Sequence, residues 1–130
     1  MMTPQLAAEG GPPVQTDPQF RTEIVTPREG VVVLAVEGAV DIYAASEFKE
    51  IFLGTIGKGG AQQVVVDLTQ ATFIDSSGLG ALVSGAKAAP KGSLSIVCND
   101  ESMMHVFTMV GLDRIFNVFQ SRAAALAADD

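Results

Sequence analysis

The sequence predicts one small α/β domain, with a mixed, largely parallel sheet of four to five strands packed by about four helices. Three observations predict it. The apolar, β-branched runs Val31-Val32-Val33-Leu34-Ala35-Val36, Gln63-Val64-Val65-Val66-Asp67-Leu68 and Leu94-Ser95-Ile96-Val97-Cys98 have the composition of inner strands with both faces covered. Segments with the apolar spacing of helices separate them, and such alternation points to right-handed parallel crossovers with the helices packed on a central sheet. At 130 residues and 48% hydrophobic content, the chain has room for one core that needs no staples.

Residues 1–19 carry Pro4, Gly10, Gly11, Pro12, Pro13 and Pro18 with no apolar period, and read as a flexible leader outside the domain of residues 20–130. Phe20 to Thr26 alternates loosely, and Pro27-Arg28-Glu29-Gly30 is a turn composition; with Val31 to Val36 this makes a hairpin of an edge strand and an inner one. Asp41 sits where a helix N-cap is expected. From Ile42 on, Tyr43, Ala44, Phe48, Ile51 and Phe52 trace an apolar stripe up to a stop at Gly57-Lys58-Gly59-Gly60. The strand Val64 to Leu68 follows, then a second helix with Leu79, Leu82, Val83 and Ala86 on one face, closed near Ala89 by Pro90-Lys91-Gly92. After the strand Ser93 to Cys98, Asn99 or Asp100 can cap a third helix, with Met103, Met104, Phe107 and Val110 inward and Gly111 as a left-handed C-cap. A short strand, Ile115 to Phe119, precedes a final alanine-rich helix whose end frays at Asp129 and Asp130.

Composition narrows the function. Fifteen acidic against eight basic residues give a formal charge of -7, so nucleic acid and anionic membrane are unsuitable partners. The single cysteine, Cys98, lies in a strand run and reads as a buried core thiol, in keeping with a reducing compartment. No apolar run approaches the roughly 18 residues that cross a bilayer, and the N-terminus lacks the pattern of a signal peptide, so a cytoplasmic location is expected. No metal-ligand spacing and no phosphate-binding loop occur, so no cofactor is expected.

Candidate functional residues gather at Phe73-Ile74-Asp75-Ser76-Ser77-Gly78-Leu79-Gly80, where two hydroxyls stand between a buried-looking strand and a helix. A helix N-terminus there would turn its first N–H groups outward beside the serines, where they would hold a phosphate. Serine before a helix is very often only an N-cap, and Ser76 reads as that cap. Glycine near a helix start costs roughly 1 kcal/mol against alanine; Gly78 and Gly80 therefore suggest close approach by a partner backbone, which favours a functional reading of Ser77.

These blocks, together with Gly38-Ala39-Val40-Asp41 and Phe107-Thr108-Met109-Val110-Gly111-Leu112, resemble the STAS domains of bacterial anti-sigma factor antagonists over roughly Phe20 to Ala127. The resemblance implies a STAS-like fold. It also implies a protein that binds an anti-sigma factor, often itself a serine kinase, and so releases the sigma factor. Phosphorylation of the antagonist by that kinase ends the interaction, and a metal-dependent serine phosphatase resets it. The family's acceptor, the second serine of Asp-Ser-Ser-Gly, falls on Ser77, with Ser76 as second choice. Asp41, Asp75, Ser76, Ser77, Gly78 and Leu79 fall on the partner-binding surface. The chain departs from the common pattern in its long leader and in Ala39-Val40 between Gly38 and Asp41; neither touches the acceptor.

A phosphate would add roughly -1.5 to -2 charge beside Asp41 and Asp75, opposing an acidic or close-packed partner surface. An enzyme is not expected: the Gly-x-Ser-x-Gly elbow is absent around Ser77, and the lone His105 reads as structural or incidental. Met103, Met104 and Met109 read as core at helical spacing rather than as a partner groove. The other reading is a STAS adaptor in a transport or signalling complex that uses the same surface without a kinase. Self-association into a weak homodimer is left open.

Overall fold

The computed structural model describes residues 19–57, 62–90 and 92–128. The leader assigned to residues 1–19 lies outside them except for Gln19, as do most of the glycine stop after the first helix and the terminal aspartates. The chain runs β1 (Arg21–Arg28), β2 (Val31–Val40), α1 (Ala45–Gly57), β3 (Gln63–Ile74), α2 (Ser76–Ala88), β4 (Leu94–Val97), α3 (Glu101–Val110), a 3-10 turn (Leu112–Arg114), β5 (Asn117–Phe119) and α4 (Arg122–Ala127). The five strands lie in sequence order, β1-β2-β3-β4-β5. β1 is antiparallel to β2, and every later pair is parallel.

This order fixes the layers. When parallel strands are added in one direction through right-handed crossovers, every crossover helix falls on the same face of the sheet. That face carries the larger core, where Leu34, Val36, Val64, Val66 and Ile96 meet Phe48 and Phe52 of α1, Leu82 of α2 and Phe107 of α3. The alternate residues Val33, Val65 and Val97 point the other way and are sealed by Ala125 and Leu126 of α4. Both faces are therefore covered, which is why the inner strands read as unbroken apolar runs.

Several boundaries differ from the sequence expectation, each for a local reason. α1 starts at Ala45 and not at Ile42, because Asp41 first closes a turn: its Oδ1 accepts the N–H groups of Tyr43 (3.0 Å) and Ala44 (3.1 Å), and its carbonyl accepts that of Ala45 (2.8 Å). Ile42 and Tyr43 are thereby left outside the helix, and Tyr43, assigned to the buried stripe, is 90% exposed. β3 runs to Ile74, well past Leu68, because its backbone keeps pairing with β2 as far as Val40↔Ile74 although Thr69, Gln70 and Thr72 offer no apolar signal. Of the two cap candidates for α3, Asp100 is the cap, accepting the Met103 N–H at 3.0 Å, and Gly111 closes the helix at φ 82°. Only Met103 and Phe107 of α3 are buried; Met109 and Val110, both expected inward, are exposed because the helix packs through a narrow stripe. The last strand begins at Asn117, two residues later than expected, since the 3-10 turn ends just before the exposed Ile115.

Candidate functional site

The C-terminal ends of β2 and β3 build the site. Val40 and Ile74 are the last paired residues, so Asp41 and Asp75 emerge side by side from neighbouring parallel strands, whose usual spacing is about 4.8 Å. A direct bond ties the two exits, the Asp75 N–H donating to the Val40 carbonyl at 3.3 Å. Strand order never reverses in this sheet, so there is no switch-point crevice between the strand ends.

Asp75, and not Ser76, is the N-cap of α2. Its backbone is extended (φ -104°, ψ -171°), and its Oδ1 accepts the N–H groups of Ser77 at 2.9 Å and Gly78 at 3.1 Å. Its carbonyl accepts the Leu79 N–H at 2.9 Å. Two of the first free N–H groups of α2 are thus engaged by the carboxylate, and the Leu79 bond is the first regular bond of the helix. The expected cradle of outward-pointing donors beside the serines is already filled by a carboxylate from the same motif. Ser76 is exposed and Ser77 half-buried, and among the described residues neither hydroxyl has a hydrogen-bond partner.

Gly78 and Gly80 separate in role. A Cβ on Gly78 would lie 2.6 Å from Ile74 Cγ1 and 2.7 Å from the Val40 carbonyl oxygen, so its smallness serves the chain's own packing of α2 onto the strand ends. At Gly80 nothing lies within 4 Å, and the surface there is open. Leu79 is half-buried against the main core, which fixes the helix roll that leaves Ser76 and Gly80 outward. Around the junction stand apolar side chains whose exposure the sequence did not foretell: Ile42 (66% exposed), Tyr43, which the sequence placed on a buried stripe, and Phe73 (52% exposed).

Other chemistry-bearing residues lie elsewhere. His105 is exposed on α3, in a different element from Ser77. Cys98 is buried at the end of β4, and burial pushes its thiol above its ordinary value of 9.0. Among the described residues no three His, Cys, Asp or Glu side chains stand together as a metal site, and no helix is long and apolar enough to cross a membrane. Sequence reasoning passed over Asp67, which is 5% exposed and pairs with Arg122 of α4 at 2.9 Å while its other oxygen accepts from the Thr69 N–H and hydroxyl. A carboxylate inside an apolar run was the available signal, because burying a charge requires a partner.

Comparison with known proteins agrees with this geometry. The curated protein named anti-sigma-F factor antagonist RsfB, from Mycobacterium tuberculosis, is 26% identical over 110 residues, spanning 84% of this chain and 89% of that protein. Among solved structures, an anti-sigma factor antagonist from Mycobacterium paratuberculosis superposes with a TM-score of 0.77 at 22% identity, over 85% of this chain and 93% of the other. The Bacillus cell fate determinant SpoIIAA, in its phosphorylated form, superposes with a TM-score of 0.67 at 18% identity, over 85% of this chain and all of the other. The sequence model of the STAS domain matches residues 24–125, which span all of the sheet but the first three residues of β1 and all three crossover helices, and the chain belongs to the STAS domain family.

Proposed function

We propose that this chain is an anti-sigma factor antagonist. It docks on an anti-sigma factor through the surface formed by Asp41, Asp75, Ser76, Ser77, Gly78 and Leu79, and so releases the sigma factor. The anti-sigma factor is a serine kinase that ends the complex by phosphorylating Ser77, and a serine phosphatase resets the switch. The observation that carries this reading is a half-buried Ser77 whose hydroxyl has no partner among the described residues, in the first turn of a helix and beside the paired strand exits of Asp41 and Asp75. The name of the mycobacterial relative and the existence of the same fold in a phosphorylated form support it.

The chain acts as substrate and binding module, not as catalyst, and works in the cytoplasm. A phosphate on Ser77 adds roughly -1.5 to -2 charge. Because Asp75 already occupies the Ser77 and Gly78 N–H groups, that charge stands outward on the docking surface instead of folding into the helix end. The switch is therefore short-range: a hydrated dianion occupies a contact that must be dry and close-packed in the complex.

The test combines binding and phosphate mapping with a purified anti-sigma serine kinase. Ser77→Ala binds as wild type does and takes no phosphate from the kinase, whereas Ser77→Asp binds at least roughly tenfold more weakly, a change of about 1.4 kcal/mol. Phosphate found on Ser76 or elsewhere, with both Ser77 variants binding normally, overturns the switch. A chain that takes no phosphate under any growth condition and co-purifies with a transporter subunit is instead the constitutive adaptor.

A further inference from the structure

β3 outruns its neighbour. β2 pairs with it as far as Ile74, but β4 pairs with it only from Val64 to Asp67, so its last residues keep one open edge. The start of α3 lies alongside, and between them runs a notch of about 240 Å³ lined by Thr72, Phe73 and Ile74 on one side and Ser102, Met103 and Val106 on the other. The register with β2 slips at Thr72, where Gly38↔Ala71 is followed by Ala39↔Phe73, so strict alternation breaks there and Thr72, Phe73 and Ile74 all border the notch beside the edge that β4 leaves open. The notch therefore offers unpaired backbone groups as well as apolar side chains. It is smaller than the clefts of roughly 300–1,000 Å³ that hold cofactors and drug-sized ligands, and suits a single side chain.

The charges around it name the occupant. Asp100 stands in its lining, Glu101 opens α3 beside it, Asp75 follows Ile74 directly, and no lysine or arginine lines it. We propose that this notch receives an extended segment of the protein partner, in which an apolar residue is flanked by lysine or arginine. The apolar residue seats against Phe73, Met103 and Val106, the flanking cations meet Asp75, Asp100 and Glu101, and the segment's main chain runs along the open edge of β3 toward Ser77. A second copy of this chain is a poor occupant, since it also carries a formal charge of -7; the chain's own residues 1–18 contain no lysine or arginine at all. The inference rests on the reading of the chain as a protein-binding antagonist and adds where, beyond the serine, the partner is recognised.

The experiment titrates the isotope-labelled full chain with two hexapeptides, acetyl-KRLVRK-amide and its charge-reversed counterpart acetyl-EDLVDE-amide, and follows backbone amides by NMR. The cationic peptide shifts the amides of Thr72, Phe73, Ser102, Met103 and Val106, and the acidic one leaves them in place. Glu101→Lys weakens the cationic peptide at least roughly fivefold, and Ser102→Trp, which fills the notch from an exposed position, removes the shifts. Met109→Ser, at an exposed apolar position near the other end of α3, changes nothing. Equal response to both peptides, shifts elsewhere, or indifference to Glu101→Lys and Ser102→Trp overturns the proposal, and movement of these same amides on removal of residues 1–18 before any peptide is added, with tighter peptide binding afterwards, would assign the notch to the leader and overturn it likewise. The same variants assayed against the anti-sigma kinase separate the two claims. Wild-type binding that depends on Ser77 but ignores both notch variants defeats the notch and leaves the antagonist reading intact. A kinase that binds no form of the chain, with the peptide still mapping to the notch, does the reverse.

Discussion

Asp75 shows how one side chain serves both the fold and the site. Its Oδ1 holds two N–H groups of α2, so Asp75→Ala removes an N-cap worth about 1 kcal/mol. A fall of roughly 3–6 °C in the thermal midpoint is expected by calorimetry, with the sheet intact. Binding to the proposed anti-sigma partner should fall further than that loss explains, because Asp75 is itself part of the proposed docking surface and holds the Ser77 N–H. Cys98 is the opposite case, a residue with reactive chemistry that the fold silences. Burial raises its thiol above the ordinary 9.0, so the native chain resists alkylation at neutral pH and labels only in denaturant. The sign of the linkage follows. The unfolded thiol ionises first as pH rises, so the stability that the buried thiol contributes is complete below pH 9 and declines above it; Cys98→Ala should flatten that decline in denaturant titrations.

At the scale of elements, two glycines of α2 make opposite predictions. Gly85 lies under the ring of Phe52, which is fully buried and stacks on Phe48 with centroids 5.6 Å apart, so the ring has nowhere to retreat. Gly85→Ala should therefore cost roughly 1–3 kcal/mol by forcing α1 and α2 apart, measured as a lower denaturant midpoint. Gly80 faces open space, so Gly80→Ala should stabilise the free chain by roughly 0.5–1 kcal/mol through helix propensity. The same substitution should weaken the proposed anti-sigma complex if partner backbone packs there. The sequence marked Gly78 and Gly80 alike as places of close approach by a partner backbone, whereas Gly78 is needed by the chain's own strand ends. It did not distinguish the one that packs on the chain's own Val40 from the one left open, because that depends on which way α2 rolls on the strand ends. Gly85, inside an otherwise ordinary helix, gave no sign of its contact with α1.

Across the whole molecule, charge governs encounter while packing governs the fold. The chain carries a formal charge of -7, and four carboxylates, Asp41, Asp75, Asp100 and Glu101, stand where strands turn into helices at one end of the sheet. Association with the proposed anti-sigma partner should therefore slow by roughly threefold or more between low and physiological salt, with the dissociation rate far less affected, as read by stopped-flow or surface kinetics. Local signals determined a good deal: the β-branched runs set the inner strands, Gly111 and Asp100 set the ends of α3, and the Asp-Ser-Ser-Gly block set the junction. Each of these is legible because its cause lies within a few residues of chain, in a side-chain period, a cap or a left-handed turn. Tertiary structure alone decided that β3 continues beyond its apolar run and outlasts β4, that Asp67 finds Arg122 across 55 residues, that Tyr43 and Phe73 stay exposed, and that Asp75 displaces Ser76 as the cap. In each case the deciding partner comes from another part of the chain, or from a choice between adjacent groups that only the packed backbone geometry makes.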